Sequence, residues 1–148
     1  MFRGSSSHKI DATGRLIIPV RFHELILNGG SNGIIVSRLD NTLVAYPFDA
    51  WETIETRILS QAQKSDSMRR FRRIFVGGAF ECLLDKSNRI LIPPSLRQYA
   101  ELKKKVVLVG VLDHFEIWSE DNWEKENFKH LEDLQEEDLK SEISELGL

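Results

Sequence analysis

"DATGRLIIP" (residues 11–19) and "DKSNRILIP" (residues 85–93) lie 74 positions apart and share Asp, Arg, Ile and Pro at the same offsets. A recurring block of this kind marks an internal duplication, which decides the architecture before any single element is assigned. The likeness extends in both directions. Ile10 corresponds to Leu84, Phe22 to Leu96 and Leu25 to Tyr99. Beyond a loop that differs by two residues the register becomes 72, matching Leu43 with Phe115, Tyr46 with Trp118, Asp49 with Asp121 and Trp51 with Trp123.

Each copy reads as the same run of elements. A short strand ("SSHKID", "FECLLD") enters a turn holding Gly14 or Asn88, the residue types that most readily accept positive φ. An Ile/Leu-rich strand follows and ends at Pro19 or Pro93, each placed to begin a helix. A hairpin closes the unit, and Asp49 and Asp121 are expected to cap the helices that carry Trp51 and Trp123. A unit of about fifty residues buries too little apolar surface to stand alone, so the two copies are expected to complete one core.

The chain divides into a first unit (1–51), a helical linker (52–74), a second unit (75–123) and an acidic, helical tail (124–148). In the linker, Ile54, Ile58 and Leu59 form one helical stripe and Met68, Phe71, Ile74 and Phe75 another, with "SDS" between them. Arg69, Arg70, Arg72 and Arg73 cover several faces of that second helix; they contact phosphate, or pair with acids of the tail or of a neighbour. The tail spaces Phe128, Leu131, Leu134, Leu139 and Ile143 as one face of an amphipathic helix.

With 41% hydrophobic and 29% charged residues in 148, the composition is globular. No apolar run approaches the roughly 18 residues of a membrane span, and a single cysteine, with no internal disulfide, points to a reducing cytoplasm. The net charge of −3 conceals an asymmetry: residues 1–112 hold 17 Lys+Arg against 10 Asp+Glu, and residues 113–148 hold 3 against 13. A basic body with an acidic tail points towards nucleic acid, or is an ordinary surface beside a solvated helix.

Catalysis and metal binding find little support. His8, His23, His114 and His130 show no ligand spacing, Cys82 is the only cysteine, and "SSSH" at 5–8 lacks a third partner. "NGGSNG" at 28–33 lacks the Lys-Ser/Thr of a phosphate loop. No catalytic residue, metal or cofactor is assigned. The strongest constellation is Asp-x-x-x-Arg, present twice. Asp11 and Asp85 are suited to accept backbone N–H groups and organise their turns, together with Gly14 and Asn88. Arg15 and Arg89 present planar five-donor heads suited to phosphate or guanine edges; the alternative is a pair of structural bridges that only stiffen the turns.

"MFRG", "DATGRLIIPVRF", "YPFDAWE", "RRFRRIFVGGAFECLLDKSNRILIPPSLRQYAEL", "VVLVG" and "FEIWSEDNW" together resemble the MraZ proteins of bacteria over about residues 1–125. The resemblance implies an α+β, β-rich fold: two tandem AbrB-like units forming one pseudo-two-fold swapped-hairpin barrel with flanking helices. It implies a nucleoid-associated transcriptional regulator, a repressor, acting on its own cell-division and cell-wall gene cluster. Its partners would be double-stranded DNA, as promoter direct repeats, and further copies of itself in a ring-like homo-oligomer. Carried onto this sequence, the DNA-contacting residues are Arg15 and Arg89, with Lys9 and Lys86 as flanking phosphate contacts. One departure stands out: the family usually has Gly before the motif Arg, and here the second copy has Asn88. Rival readings are an oligomeric interaction module that does not bind DNA and an antitoxin-like regulator.

Overall fold

The computed structural model describes residues 1–62 and 65–148. The first copy supplies β1 (Ser5–Lys9), β2 (Arg15–Ile17), α1 (Val20–Leu27), β3 (Gly33–Leu39) and β4 (Thr42–Pro47). Helices α2 (Phe48–Ser60) and α3 (Asp66–Gly77) follow. The second copy repeats the order with β5 (Phe80–Leu83), β6 (Arg89–Leu91), α4 (Pro94–Tyr99), β7 (Lys105–Val111) and β8 (His114–Ser119). Two acidic helices end the chain, α5 (Glu120–Asp133) and α6 (Glu137–Glu145).

The copies interlock by lending strands. A six-stranded antiparallel sheet has the order β1-β7-β8-β4-β3-β5, so each copy's first strand pairs with the other copy's hairpin. The remaining strands, β2 and β6, pair with each other. Their register sets Leu16 against Ile90, with Arg15 facing Leu91 and Ile17 facing Arg89. Since residues 15 and 89 are repeat equivalents, as are 17 and 91, this register is unchanged when the copies are exchanged. The same holds at the sheet centre, where Val44 faces Glu116. A pseudo-two-fold axis therefore passes through both centres, as expected from the duplication.

The core lies between ribbon and sheet. Leu16, Ile18, Ile90 and Ile92 from the ribbon strands and their ends meet Ile34, Val36, Leu43, Leu108, Phe115 and Ile117, every one of them buried. Each fully buried side chain of this size contributes about 1.5–3 kcal/mol, and neither copy could supply these contacts from its own residues. Phe2, Phe22 and Phe115 close one end, with ring centroids 5.0–5.4 Å apart. On the other sheet face a smaller cluster joins Val44, Tyr46, Trp51 and Phe75, packed beneath α2 and α3. With cores on both sides, β4 is buried at all six positions.

Several expectations are modified. Among the described residues the ladders close no barrel: β1 and β5 stand at opposite sheet edges, and an isolated Ile10–Leu16 bridge links the residue after β1 to β2. The three-residue ribbon strands, stopped by Pro19 and Pro93, pair with each other, while the backbone groups of Arg15 and Arg89 bond the Asp that opens each turn. Asp49 and Asp121 do not cap their helices, because each helix starts earlier. Asp49 lies in the first turn of α2, after Pro47, while Ser119 is the cap of α5 and accepts from the Asn122 N–H at 3.0 Å. The tail forms two helices rather than one, and neither contains a buried residue.

Candidate nucleic-acid interface

Both Asp-x-x-x-Arg turns are built by the same bonds. Asp11 Oδ1 accepts from the backbone N–H groups of Thr13 and Arg15, each at 2.9 Å, and Asp85 Oδ1 accepts from Ser87 at 2.8 Å and Arg89 at 2.9 Å. The Gly14 and Asn88 N–H groups close the turns onto the Asp11 and Asp85 carbonyls, both at 3.0 Å. A carboxylate that accepts several donors resists protonation. The Arg15 N–H, followed by the Thr13 hydroxyl, holds the Asp11 carboxyl down at about 2. Asp85 is lowered as well, chiefly by the Arg89 N–H.

The turns differ in how the arginine is held. Arg89 Nε bonds Asp85 Oδ2 directly at 3.0 Å. Arg15 Nη1 instead donates to Thr13 Oγ1 at 2.6 Å, and the Thr13 hydroxyl donates to Asp11 Oδ1 at 2.7 Å. Both heads keep donor groups outside these contacts, since a guanidinium carries five N–H groups.

The ribbon brings the two arginines together. Side chains alternate along a strand, so Arg15, Ile17, Arg89 and Leu91 share the face opposite Leu16 and Ile90. Leu16 and Ile90 are fully buried, whereas Ile17 and Leu91 are 56% and 51% exposed. Arg15 and Arg89 are diagonal neighbours across the ribbon, about 7–8 Å apart at the backbone. The result is one exposed face carrying two cations related by the pseudo-two-fold axis. The turns also brace each other, Ile18 N–H donating to the Asn88 carbonyl and Ile92 N–H to the Gly14 carbonyl, both at 2.9 Å.

The Gly/Asn difference has a steric cause. Both residues have positive φ, +94° at Gly14 and +59° at Asn88. Arg97 from α4 donates through Nε to the Ile92 carbonyl at 2.9 Å and lies against Gly14, where a Cβ would approach its guanidinium carbon at 2.8 Å. The equivalent of Arg97 in the first copy is His23, whose Nε2 bonds the Ile18 carbonyl at 2.7 Å. Asn88 is exposed, whereas Gly14 is buried. Glycine is required where the arginine covers the turn and is dispensable at the open one.

Of the flanking lysines, Lys86 sits exposed within the second turn, and Lys9 ends β1 directly opposite Lys105. Arg97 and the run Lys103–Lys105 also adjoin the first turn; the register that aligns Arg97 with His23 was the available signal for the former. Among the described residues no group of three His, Cys, Asp or Glu is arranged to hold a metal ion. Cys82 is buried, and burial pushes its thiol up to about 12, which leaves it protonated and unreactive. His8 is half-buried beside Ser6 at 2.7 Å, and Ser6 in turn accepts from Arg21. No helix among the described residues is long and apolar enough to cross a membrane.

Fold and site together define an internally duplicated α+β protein whose two copies exchange strands and offer a matched pair of acid-held arginine turns. Comparison with known proteins gives this class a family. The model of the family described as "MraZ protein, putative antitoxin-like" matches twice, over residues 1–74 and 75–142. The protein named transcriptional regulator MraZ in Desulforapulum autotrophicum is 54% identical over 148 residues, covering all of both chains. Its namesake in Desulfosudis oleivorans is 46% identical, again over all of both chains. That of Lactiplantibacillus plantarum is 41% identical over 92% of this chain and 96% of its own. The chain belongs to the MraZ family.

Proposed function

We propose that this protein is a sequence-specific DNA-binding transcriptional regulator, a repressor of its own cell-division and cell-wall gene cluster, and that it engages promoter direct repeats as a ring-like homo-oligomer in the cytoplasm, at the nucleoid. The observation that carries the reading is the pair of acid-held turns with Arg15 and Arg89 on one exposed ribbon face. Phosphate contacts position a protein and guanidinium heads read guanine edges, so such a face supplies both from a small area. Lys9 and Lys86 add phosphate contacts. The mutual lending of β1 and β5 supports an AbrB-type exchange of strands between the two units as the underlying scaffold.

One pair of arginines gives weak, salt-sensitive affinity. Joining several such faces raises the effective concentration for each next repeat, worth roughly 10²–10⁴ in avidity where the spacing fits. Exposed apolar residues on α3 and α5, Met68, Ile74, Phe128 and Leu131, offer surface for self-association. The test is binding of the duplex upstream of the protein's own gene by wild type and by R15A, R89A and R15A/R89A. The expected result is a loss of affinity in each variant at unchanged oligomer size. Normal promoter binding by the folded double variant overturns the assignment.

A further inference from the structure

The two turns share their internal bonds and differ in their surroundings. Around the first, β1 and β7 set Lys9 directly opposite Lys105, and the Ile10 N–H donates to the Lys104 carbonyl at 2.9 Å. A cleft beside this turn is lined by Asp11, Ala12, Arg97, Leu102, Lys103 and Lys104. Around the second turn the equivalent places are neutral. Leu83 faces Gly33, and the Leu84 N–H donates to the Asn32 carbonyl at 2.9 Å. Ser31, Asn32 and Gly33 thus stand where the first turn has Lys103, Lys104 and Lys105. Only Lys86, opposite in the repeat to Ala12, runs the other way.

Like charges directly opposite on neighbouring strands destabilise a sheet, so Lys9 and Lys105 are a cost to the fold. Among the described residues, Lys9, Lys104 and Lys105 form no ion pair that would offset it. Lys103 reaches Asp121 at 3.6 Å, but both groups are largely exposed and the pair is weak. Four exposed ammonium groups, strongly hydrated and on flexible stems, suit an extended run of phosphates better than a shaped pocket.

We propose that Lys9 and Lys103–Lys105 form a platform for the phosphate backbone of duplex DNA, so that the two turns are unequal hands: the first, with four lysines beside it, anchors the duplex electrostatically more strongly than the second, which has Lys86 alone. This rests on the reading of Arg15 and Arg89 as DNA-facing. Lysine–phosphate contacts carry no base information, so the platform strengthens binding to any duplex and steepens its salt dependence.

The experiment uses the full chain and measures binding of its promoter duplex and of an unrelated duplex across about 50–200 mM salt. K103Q/K104Q/K105Q is expected to weaken binding to both duplexes similarly and to reduce the slope of log affinity against log salt by about 0.9 for each phosphate that is no longer neutralised. The reciprocal variant, S31K/N32K at the second turn, is expected to steepen the slope. An unchanged slope in the triple variant, with wild type binding normally, overturns the platform and leaves the arginine assignment standing. A change in oligomer size at an unchanged slope also overturns it, and assigns the lysines to the acidic tail of a second copy. Failure of wild type to bind either duplex overturns the arginine reading and the platform with it.

Discussion

Arg97 lies against Gly14 so closely that a Cβ on the glycine would stand 2.8 Å from the guanidinium, and Arg97 is itself fixed by its 2.9 Å bond to the Ile92 carbonyl. The Ile92 carbonyl oxygen that Arg97 bonds is close too, 3.0 Å from the same point. Gly14→Ala is therefore expected to destabilise the fold by about 1–3 kcal/mol, combining a positive φ with displacement of Arg97. Asn88 is exposed, and Asn88→Gly is expected to change stability by less than about 1 kcal/mol. Urea midpoints of the two variants at constant m-value measure the contrast.

Leu16 and Ile90 meet at the pseudo-two-fold axis, both with no exposed surface. Removing either side chain opens a cavity between ribbon and sheet, where two short strands have little freedom to collapse. Leu16→Ala and Ile90→Ala are each expected to cost about 2–5 kcal/mol. As direct neighbours they couple, so the double variant is expected to depart from the sum of the two by about 0.5–3 kcal/mol. Chemical denaturation of the three variants gives the cycle.

The duplication was legible because the ribbon must satisfy its own equivalent: "RLI" pairs with "RIL", and the shared Ile/Leu pattern follows from packing on one common core. The helices after Pro19 and Pro93 were legible from proline chemistry, with Val20–Leu27 spanning "VRFHELIL". What local sequence could not carry was partnership. Nothing within "SSSHK" shows that it pairs with the second copy's hairpin, or that Lys9 will meet Lys105. Two helices start earlier than Asp49 and Asp121 suggest, because Pro47 and Ser119 end the preceding strands first. In the site, the Asp–Arg turns declared themselves by spacing. Lys103–Lys105 did not, being brought to the first turn by the register of β1 against β7, and Arg97 showed only as the repeat equivalent of His23.

Two histidines give the fold opposing responses to pH. Burial disfavours a charge on His114, but hydrogen bonds to Glu116 and Asp113 outweigh it and raise its pKa; Tyr46 stacks on the ring at 4.7 Å. Its contribution is complete below the ordinary histidine value and is lost as pH rises through the raised one. His8 is lowered, first by burial and then by Arg21, so its contribution is complete above the ordinary value and is lost as pH falls through the lowered one. His114→Gln is expected to leave stability rising with pH up to the ordinary histidine value, and His8→Gln to leave it falling as pH rises above that value. Melting temperatures at a series of pH values, in buffers of matched ionic strength, separate the two.

Residues 124–148 hold nine acids and three lysines, a net charge of −6, so truncation after Trp123 moves the chain from −3 to +3. No residue of α5 or α6 is buried, and the Trp118–Trp123 contact at 5.7 Å survives the cut. The core is untouched, and stability is expected to change by no more than about 0.5 kcal/mol, the range of surface changes. The field around the body changes sign far more than its structure does. Polyanions are attracted over distances of about a Debye length, so the truncated chain is expected to bind unrelated duplex more tightly at low salt and to lose that advantage as salt rises. Equal affinity of full and truncated chains for unrelated duplex at low salt leaves the acidic tail without an electrostatic role.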